Sequence, residues 1–580
     1  MPVPPPSPRS SWAGDLRHGH GPAWLPALLL LGLLLPWPFA RAVDAAPSWF
    51  DPSVLHAVQI SMPADAWSAL RRDGGDFVQL LGPDRTRGPA DRGYRKHPGT
   101  LVLDGKPWAN ASLRKRGFVG SFSRERPSLN IEFPSEPGQR GPGGWRRVTL
   151  ANAQQDPSSI QLSLAMAMFH ALGVPAPRTA LASVEVNGQA LGVYTLLEPV
   201  DRDFLLRAHG SPHGGLWEGT LADFSPALLP LLEPKKGTTP ADSAILHRVA
   251  SALSNPDAPD LVALEKDVDL DAFLTFWAAE VLVDHWDGYA NNQNNFLVHQ
   301  RPRDGRLVFI PWGADQCLGS PNPFTPRGAP RSVRASALLA RALYNHPTWR
   351  ERYRDRLRQL LQSSWHAPQW LAESDRLEAL AASAMAPERR GHRAVLQRTR
   401  DFIRRRADVL GPELRAPSSP WRWPEREPPG LRPWGRLTAV FDTRFHDRLP
   451  SDWLTNGTAS IRLILDGEEQ SFSKVGVSVS RGLDSRQTNS VTLNILALRG
   501  LASLRVPSIQ AWRDEFVPGR TLRVGLFQNP GYFLEGLPSE GTAAAGLLSG
   551  SLTLEEAGVA DGATVRGRID AEVWRLPRFK

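Results

Sequence analysis

A proline-dense segment divides this chain into two parts with different hydrophobic patterns. Residues 413–433 are rich in Pro, Arg and Trp, and proline cannot continue a helix or a central strand. The prolines of the segment are Pro417, Pro420, Pro424, Pro428, Pro429 and Pro433. At 580 residues the chain also exceeds the size at which a single hydrophobic core stops growing. We therefore predict a linker at 413–433 between two separately packed domains.

The two parts predict different fold classes. Within residues 47–412, helical and strand patterns alternate, beginning with a strand at Val54–Ile60 and a helix at Ala64–Arg71, which predicts an α+β domain. Residues 434–580 contain short strands with period-2 alternation and no strong helix signal, which predicts an all-β, sandwich-like domain, with a barrel as the alternative. These strands are Leu437–Thr443, Ala459–Leu465, Lys474–Val479, Ser490–Leu496, Thr521–Leu526 and Val565–Val573.

Residues 1–42 have the features of a signal peptide. Arg9 and Arg17 precede the apolar run Trp24–Leu35, and a small-residue pattern follows at residues 40–42. The run is shorter than the roughly 20 residues that span a bilayer, and no later stretch is long and apolar enough to do so. We predict a secreted, periplasmic or cell-envelope protein without a membrane span after signal cleavage. An uncleaved N-terminal anchor is the alternative.

Charge and cysteine content exclude further classes of protein. The formal net charge is +9, but arginine is spread along the chain and no recognisable nucleic-acid module accompanies it, so we predict no nucleic-acid role. Cys317 is the only cysteine, which excludes an internal disulfide and a cysteine-based zinc site. Nothing in the sequence indicates the oligomeric state.

The most informative stretch is Asp267–Gly319. Apolar residues with helical spacing predict a helix that ends near His285: Leu270, Phe273, Leu274, Trp277 and Val281. Asp287 follows directly after the helix. The next residues, 288–295, form a loop whose Gly and Asn content argues against regular structure. Two strands, 296–299 and 307–310, then form a hairpin around an Asp-Gly turn and lead to Asp315. Because a hairpin can fold its ends back together, the two aspartates can meet.

This order of residues suits phosphoryl transfer. A carboxylate can accept the proton of an acceptor hydroxyl, and oxygen ligands from Asp and Asn suit Mg²⁺ or Mn²⁺. The catalytic half of a protein kinase has the same order of Asp, Asn, hairpin and second Asp. On spacing alone, the alternative interpretation is a helix-capping Asp followed by an Asn-rich turn.

A series of short blocks in residues 49–410 resembles a known family. The blocks include Phe50-Asp51-Pro52, Arg116-Gly117, Arg126-Pro127-Ser128-Leu129-Asn130, Asp156-Pro157, Gly192-Val193-Tyr194, Leu216-Trp217-Glu218-Gly219, Lys235-Lys236-Gly237, Trp286-Asp287 and Ile310-Pro311-Trp312-Gly313-Ala314-Asp315. In this order they resemble the CotH family of atypical secreted kinases, named after a spore-coat protein. The resemblance implies a kinase-like domain that uses ATP with Mg²⁺ or Mn²⁺ and phosphorylates Ser or Thr of exported proteins.

The resemblance also implies roles for individual residues. Asp287 would be the catalytic carboxylate, and Asp315 would bind the metal together with Asn295 or, in its place, Asn294. The residues implied for binding the nucleotide are Arg116, Arg126, Glu198, Lys235 and Lys236. A solvated loop is the alternative interpretation of the two lysines.

Two departures from the family pattern bear on activity. Arg116 and Arg126 stand where many relatives carry lysine, and a planar guanidinium replaces a compact ammonium there. Gly313 stands where many relatives carry the first Asp of a paired motif. The retained Asp287 and Asp315 favour an active kinase. The arginines favour the alternative, a non-catalytic pseudokinase that acts as a binding or structural protein of the cell envelope.

Overall fold

The computed structural model describes residues 48–576 apart from 135–139, 142–143, 323, 386–390, 424–429, 449–454, 483–488, 501–502 and 538–540. The predicted signal peptide, residues 1–42, lies outside the described residues. Helices and strands are mixed from residue 48 to residue 415, as predicted for an α+β domain. Residues 432–576 contain strands and, where described, no helix. We refer to these two regions as the central domain and the C-terminal domain.

The central domain begins with a small closed barrel. Its strands pair in the order β1-β2-β3-β4-β5-β7-β6, and β6 returns to β1 in parallel. The elements are β1 Leu55–Ser61, α1 Ala64–Arg72, α2 Phe77–Leu81, β2 Lys96–Leu103, β3 Lys106–Arg116, β4 Ser128–Glu132, β5 Arg147–Ala151, α3 Gln161–Ala171, β6 Thr179–Val186 and β7 Gln189–Leu197. Asn187 and Gly188 form the hairpin turn between β6 and β7, and both residues have the positive φ that such a two-residue turn requires.

A helical region built around a four-stranded sheet completes the central domain. The sheet has the order β11-β10-β8-β9. The elements are α4 Arg202–His209, β8 Leu216–Gly219, β9 Leu232–Pro234, α5 Ala244–Ala252, α6 Leu261–Asp267, α7 Leu270–Leu282, α8 Tyr289–Asn292, β10 Phe296–Gln300, β11 Leu307–Pro311, α9 Leu338–Asn345, α10 Pro347–Ser363, α11 Ala367–Ala382 and α12 His392–Arg415.

Helix α7 lies in the main hydrophobic core of this region. All five apolar residues of the predicted stripe are buried, and so are Phe276, Ala278 and Ala279 on other sides of the helix. Residues 276–282 are all buried, so the second half of the helix is enclosed on every side, because neighbouring helices and the β10–β11 hairpin pack against it. The predicted hairpin is confirmed, with Phe296 opposite Pro311 at its base.

One local prediction in the central domain is wrong. The loop at 288–295 contains the one-turn helix α8. That helix forms because a buried acid from α7, Glu280, accepts two of its N-terminal N–H groups, as described below.

The predicted linker is partly packed against the central domain. Helix α12 continues through Pro412 to Arg415, because a proline in the last turn removes only one hydrogen bond. Trp421 is 3% exposed and belongs to the core of the central domain, and its backbone N–H donates to Asn345 Oδ1 at 2.9 Å. Pro433 lies in the first strand of the C-terminal domain beside a register shift, where a strand tolerates proline.

The C-terminal domain is a closed barrel, which corrects the expectation of a sandwich. The barrel closes because the last strand pairs with β12 on one side and with β20 on the other. The strands are β12 Arg432–His446, β13 Thr458–Leu465, β14 Glu468–Glu469, β15 Lys474–Arg481, β16 Ser490–Arg499, β17 Ser503–Trp512, β18 Thr521–Val524, β19 Gly531–Leu537, β20 Gly541–Ala557 and β21 Thr564–Arg575. Alternate residues of β12 and β21 are buried, so one face of each strand lines the interior.

None of the helices in the described part of the chain combines the length and the apolar character needed to cross a bilayer.

Candidate functional site

The turn that carries Asp287 is built on two buried carboxylates. Glu280 accepts the backbone N–H groups of Tyr289 at 2.8 Å and Ala290 at 3.0 Å, which caps α8 in place of an N-cap side chain. Asp223 accepts the Tyr289 hydroxyl at 2.9 Å and the Gln293 amide at 2.8 Å. Burial raises the pKa of Glu280 to about 8 and that of Asp223 to about 6. The two acids fix the turn from beneath.

Three asparagine amides converge on the carboxylate of Asp287. Asn295 Nδ2 donates to Oδ2 at 2.8 Å, Asn294 Nδ2 donates to Oδ1 at 3.1 Å, and Asn292 Nδ2 also donates to Oδ1. Asp287 is half-buried, so its carboxylate is oriented by the protein but remains partly exposed. We refer to the region around Asp287, Asn295 and Asp315 as the cleft. A carboxylate held in this way is preorganised to accept a proton from a hydroxyl group.

The hairpin returns to Asn295 and brings Asp315 to the same cleft. The Trp312 N–H donates to the Asn295 carbonyl at 3.1 Å, and the Asn295 side chain donates to the Gly313 carbonyl at 3.3 Å. Burial raises the pKa of the half-buried Asp315 to about 7, and the negative charge of Asp287 adds to the rise. The structure thus brings together the three residues predicted for catalysis and metal binding.

Gly313 is required by the position of Asn295. Its φ is +50°, and a Cβ built there would lie 2.6 Å from Asn295 Oδ1. A side chain at position 313 would therefore displace the amide that holds Asp287. This explains in physical terms why glycine replaces the first Asp of the paired motif in this chain.

Arg116 lies within electrostatic reach of both Glu218 and Asp315. The Arg116 guanidinium lies over the Trp312 ring, 4.9 Å from its centroid. Burial lowers the pKa of Arg116, whereas the charges of Glu218 and Asp315 oppose that change. Arg116 thus lies close to the metal-binding candidate, and its predicted role in binding the nucleotide stays a prediction.

Lys235 belongs to the cleft, whereas Lys236 is exposed. Lys235 forms ion pairs with Glu218 and with Glu233, the second at 3.0 Å. Burial by itself would raise the pKa of Glu218, but the charges of Lys235 and Arg92 bring it to about 2. Glu218 is therefore a carboxylate that stays ionised. The role of the exposed Lys236 in nucleotide binding stays a prediction.

Arg126 and Glu198 are engaged by the protein itself. Arg126 donates to the Val193 carbonyl at 2.9 Å and lies over the Tyr194 ring at 5.2 Å. Glu198 is fully buried and accepts from two arginines, Arg178 at 3.1 Å and Arg207 at 2.7 Å. These contacts explain both residues structurally, and their nucleotide-binding roles stay predictions.

Sequence reasoning did not assign several residues that shape the cleft. The amide of Asn292 had a signal in the Asn-rich stretch, and Glu218 lies in a block that carries the family resemblance. Glu280 was identifiable as an acid within the otherwise apolar stretch of α7 that precedes the turn. Asp223 had no local signal, because its partners lie 66 and 70 residues away in the sequence.

The donor set at the cleft fits a hard divalent cation. The negative charge of Asp287 contributes to the raised pKa of Asp315, Asn295 donates to Asp287, and a cation would offset the repulsion between the two carboxylates. Within the described residues no group of three or more His, Cys, Asp or Glu side chains comes together. Binding would therefore need amide oxygens or ligands from a nucleotide in addition to the two carboxylates.

Comparison with known proteins assigns the family. Residues 113–410 match the family described as CotH kinase protein, and the match covers just over half of the chain. The chain belongs to the CotH family. This confirms the resemblance found in the sequence.

Individual relatives are distant and matched over part of their length. Inner spore coat protein H of Bacillus subtilis is 26% identical over 216 residues, which cover 35% of this chain and 58% of that protein. Invasin CotH2 of Rhizopus delemar is 28% identical over 194 residues, 30% of this chain and 33% of the invasin. The chain thus spans less than two thirds of the length of both relatives.

Solved kinase-related structures give a weak likeness. The proinflammatory kinase CtkA of Helicobacter pylori aligns with a TM-score of 0.26 and 10% identity, covering 58% of this chain and 97% of that one. The Shewanella oneidensis MR-1 toxin–antitoxin complex of HipA, HipB and operator DNA aligns with a TM-score of 0.25 and 12% identity, covering 53% and 68%. We draw no conclusion about the fold from TM-scores this low.

Proposed function

We propose that this protein is a CotH-type kinase that transfers the γ-phosphate of ATP to Ser or Thr of exported or envelope proteins, with Mg²⁺ or Mn²⁺. The observation that carries the proposal is the convergence of Asp287, Asn295 and Asp315 at the base of one hairpin. These residue types, in this order, supply the base and the metal ligands that phosphoryl transfer needs.

Each residue has a defined task in the proposed reaction. Asp287 accepts the proton of the acceptor hydroxyl as its oxygen bonds to the γ-phosphorus and the bond to the bridging oxygen of ADP breaks. The amides that hold Asp287 keep its carboxylate aimed during this step. Asp315 and Asn295 would hold the metal ion, which when bound neutralises phosphate charge. Arg116 would contact the phosphates.

Export is part of the proposal. It is supported by the signal-peptide pattern of residues 1–42 and by the names of the relatives, a spore coat protein and an invasin. We propose a secreted, periplasmic or envelope location, an exported protein as the acceptor, and no nucleic-acid partner.

A second candidate function is a pseudokinase that binds nucleotide or protein without catalysis. It is favoured by Arg126, whose guanidinium is bound to the Val193 carbonyl and the Tyr194 ring. An arginine committed to these contacts is less available to phosphate than a free lysine would be.

The test is transfer of radiolabelled γ-phosphate by residues 43–580 with Mg²⁺ or Mn²⁺ and exported candidate substrates. We expect incorporation by the wild type and none by Asp287→Ala. Asp442→Ala, at a half-exposed position of the C-terminal domain, is the matched control and should transfer like the wild type. A rise of the melting midpoint with Mn²⁺ and ATP but no transfer under either metal would identify the pseudokinase.

A further inference from the structure

The C-terminal barrel contacts the loop that follows Arg116. This β3–β4 loop, residues 117–127, continues directly from the strand that ends at Arg116. Two of its aromatic rings, Phe118 and Phe122, pack on Phe527 of the barrel, with centroids 6.1 and 5.1 Å apart respectively. Phe527 is 2% exposed, so the contact is a closed hydrophobic cluster rather than a surface touch.

A buried ion pair joins the same loop to the barrel. Arg124 Nη1 lies 3.3 Å from Glu515 Oε1, and the two side chains are only 6% and 8% exposed. The Arg124 guanidinium also lies over the Trp512 ring at 4.9 Å. Because an isolated buried charge is costly, neither partner of this pair can leave without a large penalty, and the loop is tied to the barrel at this point.

Further contacts extend the attachment to the base of the loop. Gln528 Nε2, next to Phe527, donates to the carbonyls of Gly74 at 2.8 Å and Gly75 at 3.0 Å. Lys115 lies beneath Phe122, with its Nζ 3.8 Å from the ring centroid. The face of Phe122 is therefore covered by the central domain while the barrel packs against the same ring.

The inner side of the loop is bound to the central domain. The Tyr94 hydroxyl donates to the Gly117 carbonyl at 2.9 Å, and Asn152 Nδ2 donates to the carbonyls of Ser121 at 3.0 Å and Arg126 at 2.6 Å. A Cβ at Gly120 would lie 2.2 Å from the Gln155 side chain, so the loop packs closely on the segment between β5 and α3. The loop is thus held between two surfaces, one of which belongs to another domain.

We infer that the C-terminal barrel positions the proposed nucleotide site, with Phe527 and Glu515 holding the β3–β4 loop so that Arg116 stays beside Asp315. The inference rests on the proposed function and assigns the barrel a role in it. The ligand concerned is a nucleoside triphosphate, whose phosphates would lie between Arg116 and the metal-binding carboxylate. Phe527 and Glu515 are positioning residues, because they act through the loop.

The test uses the full chain with Phe527→Leu and with Glu515→Gln. We expect each variant to raise the KM for ATP by about 3- to 10-fold with a smaller change in kcat, because loosening the loop weakens binding before chemistry. Amide hydrogen exchange within residues 117–126 should become faster without nucleotide. Phe445→Leu is the matched control: Phe445 is buried in the barrel interior away from this loop, so its KM for ATP should stay unchanged.

The outcomes separate the inference from the proposed function. If Phe527→Leu and Glu515→Gln keep the wild-type KM for ATP and the wild-type exchange rates, the inference is wrong while the kinase proposal stands. A change of equal size in Phe445→Leu would also overturn it, because general destabilisation would then explain the effect. Absence of both nucleotide binding and transfer in the wild type would overturn the proposed function and the inference together.

Discussion

The cleft of the central domain and the C-terminal barrel differ in the burial of their acidic residues. Around the cleft, Glu280, Asp223 and Asp315 have pKa values raised by burial to about 8, 6 and 7. On the barrel, acidic residues such as Asp570 and Asp442 form ion pairs with arginines and are about half exposed. The two regions lie in one chain, so the same solution conditions apply to both.

The difference indicates where function lies. Burying an acid whose charge is not fully compensated lowers the stability of the folded state, whereas exposed ion pairs contribute little in either direction. Such a cost is retained at sites where the charge has a chemical task. Four substitutions test the contrast between cleft and barrel, and they follow in order of decreasing expected effect.

The largest effect is expected for Asp315→Asn. We expect phosphate transfer to fall by at least ~100-fold, since the substitution removes the carboxylate of the metal-binding candidate. The melting midpoint at pH 8 should stay the same or rise, because a carboxylate whose pKa is raised destabilises the folded state when ionised. Transfer assays and thermal unfolding measure the two effects. Asp570→Asn, on the barrel, should change neither, and a lower midpoint in Asp315→Asn would contradict the comparison.

Glu280→Ala should combine a loss of stability with a loss of activity. It leaves the N–H groups of Tyr289 and Ala290 without their acceptor, which we expect to cost roughly 2–4 kcal/mol of unfolding free energy. Transfer should fall because α8 carries the amide of Asn292. Denaturant unfolding gives the free energy. Glu265→Ala, at an exposed position of α6, is the control, and an equal loss in both variants would show that the buried cap is unimportant.

Acid should destabilise the protein through its buried histidines. Burial lowers the pKa of His299 to about 4 and that of His209 to about 3, and their rings lie 5.2 Å apart. The folded-state pKa of each histidine is below the unfolded value of about 6.5. The folded state therefore keeps its full stability above pH 6.5 and loses stability as pH falls from 6.5 toward 4. We expect His299→Gln to flatten that slope by about 1–2 kcal/mol across the window.

Unfolding titrations between pH 7 and pH 4 measure the slope. His366→Gln changes an exposed histidine and serves as the control, with the wild-type slope expected. A slope that is unchanged in His299→Gln would show that this histidine is already accommodated in its charged form.

The smallest effect is expected for Arg566→Ala on the barrel. Arg566 pairs with Asp442 and Glu556 at 3.0 Å, but all three side chains are close to half exposed. Solvent screening should keep the loss of unfolding free energy within the error of the measurement. Denaturant unfolding checks this expectation. A loss as large as that of Glu280→Ala would mean that barrel ion pairs contribute as much as the buried groups of the cleft.

The sequence allowed good prediction where the physical cause is local. The stripe on α7 and the hairpin of β10 and β11 follow from periodicity over short windows, and these two elements bring Asp287 and Asp315 together. The family resemblance added the roles. The helix and the hairpin both lie within Asp267–Gly319, whereas the blocks that carry the family resemblance are spread over residues 49–410.

Long-range pairings explain what the sequence did not reveal. Closure of the barrel depends on β21 pairing with β12, whose residues are more than a hundred positions away, and no local pattern distinguishes that from a sandwich. The one-turn helix α8 formed against expectation because Glu280 supplies its cap from another element. The pairing of Glu198 with Arg178 and Arg207 likewise appears only in three dimensions.

The central claim is that Asp315 and Asn295 hold a divalent cation together with a nucleotide, beside the catalytic carboxylate of Asp287. The most direct measurement is the binding of Mn²⁺, followed by electron paramagnetic resonance, to the wild type and to Asp315→Asn with and without ATP. We predict a protein-bound Mn²⁺ signal that strengthens with ATP in the wild type and is lost in Asp315→Asn, while Asp570→Asn behaves like the wild type. Equal binding by the wild type and Asp315→Asn, or no binding in the presence of ATP, would contradict the claim.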